Sequence, residues 1–183
     1  MKLRHLFFAC SGVFVMMFSL LLLVVIVFSD EEDGGSGGNL IYGGVSVSQE
    51  VLAHKTMLEK YAREYGIEEY LNVLLAIIQV ESGGTLEDVM QSSESLGLPP
   101  NSLSTEESIK QGCKYFSELL AAAETKGCDL NSVIQSYNYG GGFLDYVTGR
   151  GKKYTFELAE SFARDKSGST QNFRQATLPD LMS

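Results

Sequence analysis

The sequence has no tryptophan, three prolines, three cysteines and two histidines in 183 residues. The shortage of histidine restricts the chemistry most. His5 lies beside a long apolar run, so His54 is the one imidazole left for a site, and counting alone excludes a histidine-rich zinc centre. Nothing else in the composition asks for a metal or a cofactor. Basic residues are also few, 14 against 23 acids. Setting aside Lys2 and Arg4, which precede the apolar run, 12 cations face 23 anions, a net −11, and nucleic acid is excluded as a partner. No segment alternates apolar and polar residues over a useful strand length and none repeats, so the expected fold is all-α. A chain of 183 residues holds roughly one domain of ~100–200 residues, too little for two separate globular enzymes.

Residues Leu6 to Phe28 carry no charge, and 23 residues at ~1.5 Å each exceed the ~30 Å of a bilayer's hydrocarbon core. Lys2, Arg4 and His5 precede this run, and Asp30, Glu31, Glu32 and Asp33 follow it. The asymmetry predicts a cytoplasmic N-terminus at residues 1–28, a single transmembrane anchor, and everything after it outside the cytoplasm. A cleaved signal peptide would have a shorter apolar core and a small-residue cleavage site. The composition of Gly34-Gly35-Ser36-Gly37-Gly38-Asn39 predicts a flexible linker over 29–47, which keeps the outer domain near the membrane.

From Ser48 the apolar residues recur at helical spacing. Val51, Leu58, Tyr61, Ala62 and Tyr65 share a face, and Gly66 can end that helix. A second helix is expected from Glu68 to Glu81, apolar on most sides and therefore central. Ser82 to Leu103, with Gly83-Gly84 and Pro99-Pro100, reads as a long loop of the kind that carries function. Ser104 and Glu107 form a capping box for a helix with the stripe Ile109, Cys113, Phe116, Leu120 and Ala123. Asp129 opens another with Leu130, Val133, Ile134 and Tyr137 inward, and a last helix covers Thr155 to Asp165. The expected domain is thus 48–165, followed by an irregular tail at 166–183. Cys113 and Cys128 are expected to stay free, because ~12 helical residues separate them by about 18 Å, against ~4.4–6.8 Å for a disulfide.

Glu81 stands out on position alone. It shares a helical face with Leu74, Ile77 and Ile78 and ends the helix, so apolar surroundings and the negative helix terminus both disfavour its charged form. A carboxylic acid kept protonated near neutral pH can donate a proton to a leaving oxygen, as cleavage of a glycosidic bond requires.

Three segments occur in order: Gln79-Val80-Glu81-Ser82-Gly83-Gly84, Asp88-Val89-Met90-Gln91-Ser92-Ser93-Glu94-Ser95, and Gln135-Ser136-Tyr137-Asn138-Tyr139-Gly140-Gly141-Gly142-Phe143. Together they resemble the lysozyme-like domain of CwlT-type cell-wall hydrolases, a group related to goose-type lysozymes and soluble lytic transglycosylases. The resemblance implies a helical lysozyme-like domain acting on peptidoglycan glycan strands, with Glu81 as general acid. Ser82, Met90, Gln91, Ser93, Tyr137 and Asn138 would line the substrate cleft. Tyr137 can offer its hydroxyl to the acid, while Gln91 and Asn138 can bond sugar hydroxyls or acetamido groups. Without tryptophan, any sugar stacking falls to Tyr139, Phe143 or Tyr146, with core packing favoured for Phe143.

The chain departs from goose-type lysozymes at the second carboxylate: Ser93 stands where they carry an Asp. Glu94, next to it, is the expected second catalytic carboxylate, with Glu87 and Asp88 as the other candidates. The resemblance favours hydrolysis of the β-1,4 bond between N-acetylmuramic acid and N-acetylglucosamine. The alternatives are lytic transglycosylation, which needs one acid and gives an anhydro product, and an inactive glycan-binding scaffold. By analogy alone, such a domain would suit wall opening for a conjugation or secretion machine. The CwlT type also implies a thiol peptidase domain, for which no residues remain.

Overall fold

The computed structural model describes residues 40–42 and 45–176, with side chains from Val47 to Lys166. The expected anchor at Leu6–Phe28, the linker up to Asn39 and residues 177–183 lie outside the described residues. Among those described, no helix is long and apolar enough to cross a membrane. The chain divides into two compact units, with the boundary between Ala121 and Ala122.

The first unit begins with a departure from the expected linker. Strand β1 (Leu40–Tyr42) pairs antiparallel with β2 (Val45–Val47), with Leu40 opposite Val47. Leu-Ile-Tyr and Val-Ser-Val flank Gly43-Gly44 in sequence, a combination that favours a two-residue hairpin. The single helix expected from Ser48 is two: α1 (Gln49–Ala53), capped by Ser48 Oγ accepting from Val51 N at 3.3 Å, and α2 (Lys55–Glu64). The break falls at His54, whose Nε2 lies 2.9 Å from Gly84 O. A carbonyl only accepts, so Nε2 carries the hydrogen. Gly66, at φ +68°, ends α2, and Ile67 N donates to Ala62 O at 2.9 Å.

A 3-10 turn (Glu68–Tyr70) leads into α3 (Leu71–Glu81), where six successive residues from Val73 to Ile78 are buried. Burial on all sides identifies α3 as the core helix of this unit, with β2, α1 and α2 against it. A second 3-10 turn (Ser92–Leu96) interrupts the long loop. Helix α4 (Thr105–Lys126) follows, and Glu107 Oε2 accepts from both N and Oγ of Ser104, at 3.0 and 2.6 Å. Its first half is fastened by Tyr61 Oη donating to Glu106 at 2.6 Å and by Phe116 set edge-on to Tyr70, with ring centres 5.8 Å apart. Ile109, Cys113, Phe116 and Ala123 are buried as the spacing predicts; Leu119 is buried rather than Leu120.

The second unit contains α5 (Leu130–Tyr139), α6 (Gly142–Thr148) and α7 (Phe156–Ala176). Asp129 caps α5 by accepting from Ser132 N at 3.0 Å, and its carboxylate also accepts from Tyr154 N at 3.1 Å. Phe143 is fully buried at the centre of an aromatic cluster, 5.5 Å from Tyr139, 6.4 Å from Tyr154 and 5.3 Å from Phe162. The expected irregular tail is corrected up to Ala176: α7 continues past Asp165. Gly168 costs a helix about 1 kcal/mol, but extending a nucleated helix needs no new nucleus, and no proline intervenes before Pro179. Cys113 and Cys128 are free thiols.

Candidate active site

Glu81 is the last residue of α3 and is partly buried. Its carboxyl is pushed up to about 8, first by loss of solvent, then by the negative charges of Glu94 and Asp88. Near neutral pH this group is predominantly protonated, the state a general acid needs.

The turn after it fixes the acid in place. Ser82 Oγ donates to Val89 O at 2.7 Å and accepts from Gly84 N at 3.0 Å, so the hydroxyl ties the helix end to the next segment. Gly83 and Gly84 both have positive φ, +61° and +78°. A Cβ on Gly84 would stand 2.7 Å from Glu50 C and Val51 N, so only glycine allows this backbone to lie against α1. From the other side, Ser48 N donates to Gln79 Oε1 at 2.7 Å and Ser48 Oγ donates to Gly83 O at 3.3 Å. The Glu-Ser-Gly-Gly run therefore reads as one acid and three residues that hold the helix terminus.

The loop beyond is organised around Asp88. Its side chain is fully buried and accepts from Ser92 N at 2.9 Å, Ser93 N at 3.3 Å and Ser108 Oγ at 2.6 Å. This candidate for the second carboxylate is thus an internal clamp between the loop and α4. Ser108, which sequence reasoning missed, also accepts from Met90 N at 3.0 Å and its carbonyl accepts from Ser92 Oγ at 2.9 Å. Gln91 takes a left-handed backbone, φ +46°, and its Nε2 donates to Asp88 O and Asn101 Oδ1, each at 2.8 Å. Met90 is fully buried, as packing requires. Ser93 is also buried, its hydroxyl without a hydrogen-bond partner. Glu94 is exposed on the 3-10 turn, and of the two carboxylates acting on Glu81 it has the larger effect. Glu87 is exposed as well.

The remaining expected residues stand on α5 in the second unit. Tyr137 is buried and Asn138 partly so, with Asn138 Nδ2 lacking a hydrogen-bond partner. Gln135, on the same helix, is fully buried with neither amide atom partnered. Phe143 is a core residue with no free ring face. Tyr139 stacks on Phe162 at 5.6 Å, and Tyr146 lies under the Arg150 guanidinium at 3.6 Å. Among the described residues, no group of three His, Cys, Asp or Glu side chains is arranged to hold a metal ion.

Residues 48–179 match the family model described as lysozyme-like, and the match runs past Asp165 through most of the segment expected to be tail. The bifunctional muramidase/DL-endopeptidase CwlT of Bacillus subtilis (strain 168) is 44% identical over 124 residues, which are 67% of this chain and 37% of that protein. The uncharacterized membrane protein YocA of the same organism is 34% identical over 139 residues, 70% of this chain and 62% of that one. Among solved structures, a protein described as similar to a lipoprotein of the NLP/P60 family, from Staphylococcus aureus subsp. aureus Mu50, superposes with a TM-score of 0.67. It is 74% identical, and the match covers 68% of this chain and 42% of that one. The chain thus spans between about a third and three fifths of the length of these curated relatives.

Proposed function

We propose, because the chain belongs to the lysozyme-like family and carries Glu81 as a neutral acid, that it cleaves the glycan strands of peptidoglycan. The bond cut is the β-1,4 linkage between N-acetylmuramic acid and N-acetylglucosamine. Glu81 protonates the leaving sugar oxygen, and water takes the anomeric carbon, activated by a second carboxylate. Glu94 is the candidate for that base, since it is exposed and its charge reaches Glu81, whereas Asp88 is committed to three hydrogen bonds. Gln91 and Asn138 are proposed to bond the sugars. The observation that carries the reading is the raised carboxyl of Glu81 at the end of the core helix.

The commitment of Asp88 also favours a second reading. A lytic transglycosylase needs one acid and no second carboxylate, because the substrate's own 6-hydroxyl attacks. Peptidoglycan digested by the purified protein and by its Glu81→Gln variant decides between them. Hydrolysis gives products one water heavier than the anhydro sugars of transglycosylation; equal solubilisation by both proteins would remove Glu81 from the mechanism, and solubilisation by neither would leave a glycan-binding scaffold. The apolar run at Leu6–Phe28 and the Gly/Ser segment after it support a setting at the outer membrane face, where local wall opening could serve a conjugation or secretion machine.

A further inference from the structure

From Tyr146 to Phe156 the chain carries Arg150, Lys152 and Lys153 and no acid, in a protein whose net charge is −9. All three cations are exposed, and none has a carboxylate within ion-pair distance among the described residues. The loop is held rather than loose: Arg150 N and Lys152 N both donate to Val147 O, at 2.8 and 3.0 Å, and Asp129 N donates to Lys152 O at 3.2 Å. Lys152 sits at φ +65°, a conformation uncommon for a side chain-bearing residue, and Arg150 is braced over the Tyr146 ring. Three residues after Lys153, and so at most ~11 Å from it along the chain, Phe156 is half exposed.

We propose that this loop is a second contact with an anionic phospholipid surface, Arg150, Lys152 and Lys153 meeting lipid phosphates and Phe156 entering the headgroup layer. The charges alone would suit any polyanion. Phe156 decides for lipid, because an aromatic ring gains from the headgroup boundary and finds no apolar partner on a fully hydrated phosphodiester polymer. Fixing the cations in advance lowers the ordering cost of the contact. The proposal is independent of glycan cleavage and of the apolar run at Leu6–Phe28.

The absence of tryptophan provides the test. In a Phe156→Trp chain the new indole is the sole tryptophan, and its emission is read with the full chain in vesicles of phosphatidylcholine, with and without phosphatidylglycerol, using brominated acyl chains as quenchers. The expected result is a blue shift and quenching only with phosphatidylglycerol. Adding Arg150→Gln, Lys152→Gln and Lys153→Gln together should abolish both, while Arg150→Lys retains them. Each single neutralisation should weaken the contact roughly fivefold. Because the readout is at position 156, anchoring elsewhere in the chain does not produce it. Unchanged emission in both vesicle types overturns the proposal. So does a shift of equal size in phosphatidylcholine alone, and so does a shift produced by poly(glycerol phosphate) without lipid, which would assign the loop to a wall polymer.

Discussion

The two units are built on different interiors. In the first, Leu58, Leu74, Leu75, Ile77, Ile78, Met90 and Ile109, with the ring of Phe116, form a mainly aliphatic core that two carboxyl groups adjoin, the partly buried Glu81 at a helix end and the buried Asp88 under the loop. In the second, Phe143 and Phe162 centre a ring cluster that Tyr139, Tyr146 and Tyr154 complete. The difference separates two uses of burial. An aliphatic interior offers a carboxyl no polarisable partner, so Glu81 keeps its proton to a higher pH. An aromatic cluster provides large apolar area and ring geometry from few residues, and so consolidates three helices.

The largest expected effect is on the acid itself. Glu81→Gln should reduce glycan cleavage by about 10²–10⁴-fold, measured as release of soluble fragments from peptidoglycan. The same substitution sharpens the comparison through pH. The unfolded chain releases this proton near the ordinary carboxyl value of 4.5, while the folded chain holds it to about 8. The stability contributed by Glu81 is therefore fully present below 4.5 and is lost as pH rises through about 8, a difference of a few kcal/mol. Thermal midpoints of the wild type should fall across that window, and those of Glu81→Gln should fall much less. Activity should decline above about pH 8, where the acid loses its proton.

Phe143→Ala is the counterpart in the second unit. Truncating a fully buried ring should cost about 3–5 kcal/mol in urea unfolding, with no change in the pH dependence assigned to Glu81. A loss below ~1 kcal/mol would mean that the ring cluster is not what consolidates α5, α6 and α7.

Glu81 was legible in sequence because everything that marks it is local: the spacing from Leu74, Ile77 and Ile78, and the glycines that follow. The helices were legible for the same reason. What sequence could not reveal depends on partners far along the chain. The clamp formed by Asp88 was hidden because Ser108, one of its donors, lies 20 positions away inside a helix, where a serine carries no signal. The place of His54 was hidden because the apolar period runs through it, and its bond to Gly84 O spans 30 positions. The hairpin had a local signal in Gly43-Gly44, but the glycine and serine content just before it is that of a tether.

The clamp makes a prediction intermediate in size. Asp88→Ala leaves Ser92 N, Ser93 N and Ser108 Oγ without their acceptor inside the protein, which should cost about 2–4 kcal/mol. Asp88→Asn keeps an acceptor oxygen and removes one charge acting on Glu81, so it should cost less and move the alkaline limb of the activity profile to lower pH. If Asp88→Asn instead leaves that limb in place, Glu94 alone supplies the repulsion.

The smallest effects should come from the helix caps, where the two units again differ. Asp129 is charged and accepts from two separated segments, Ser132 N on α5 and Tyr154 N before α7, so Asp129→Ala removes a cap and a tie between elements, about 2 kcal/mol together. Ser48 caps the short α1 through a single bond of 3.3 Å, and Ser48→Ala should cost about 0.5–1 kcal/mol by the same unfolding measurement. Its backbone bond to Gln79 survives the substitution, so the end of α3 and the carboxyl of Glu81 should stay where they are. A much larger loss of activity than of stability in Ser48→Ala would show that the 3.3 Å contact with Gly83 O, rather than the glycines, sets the position of the acid.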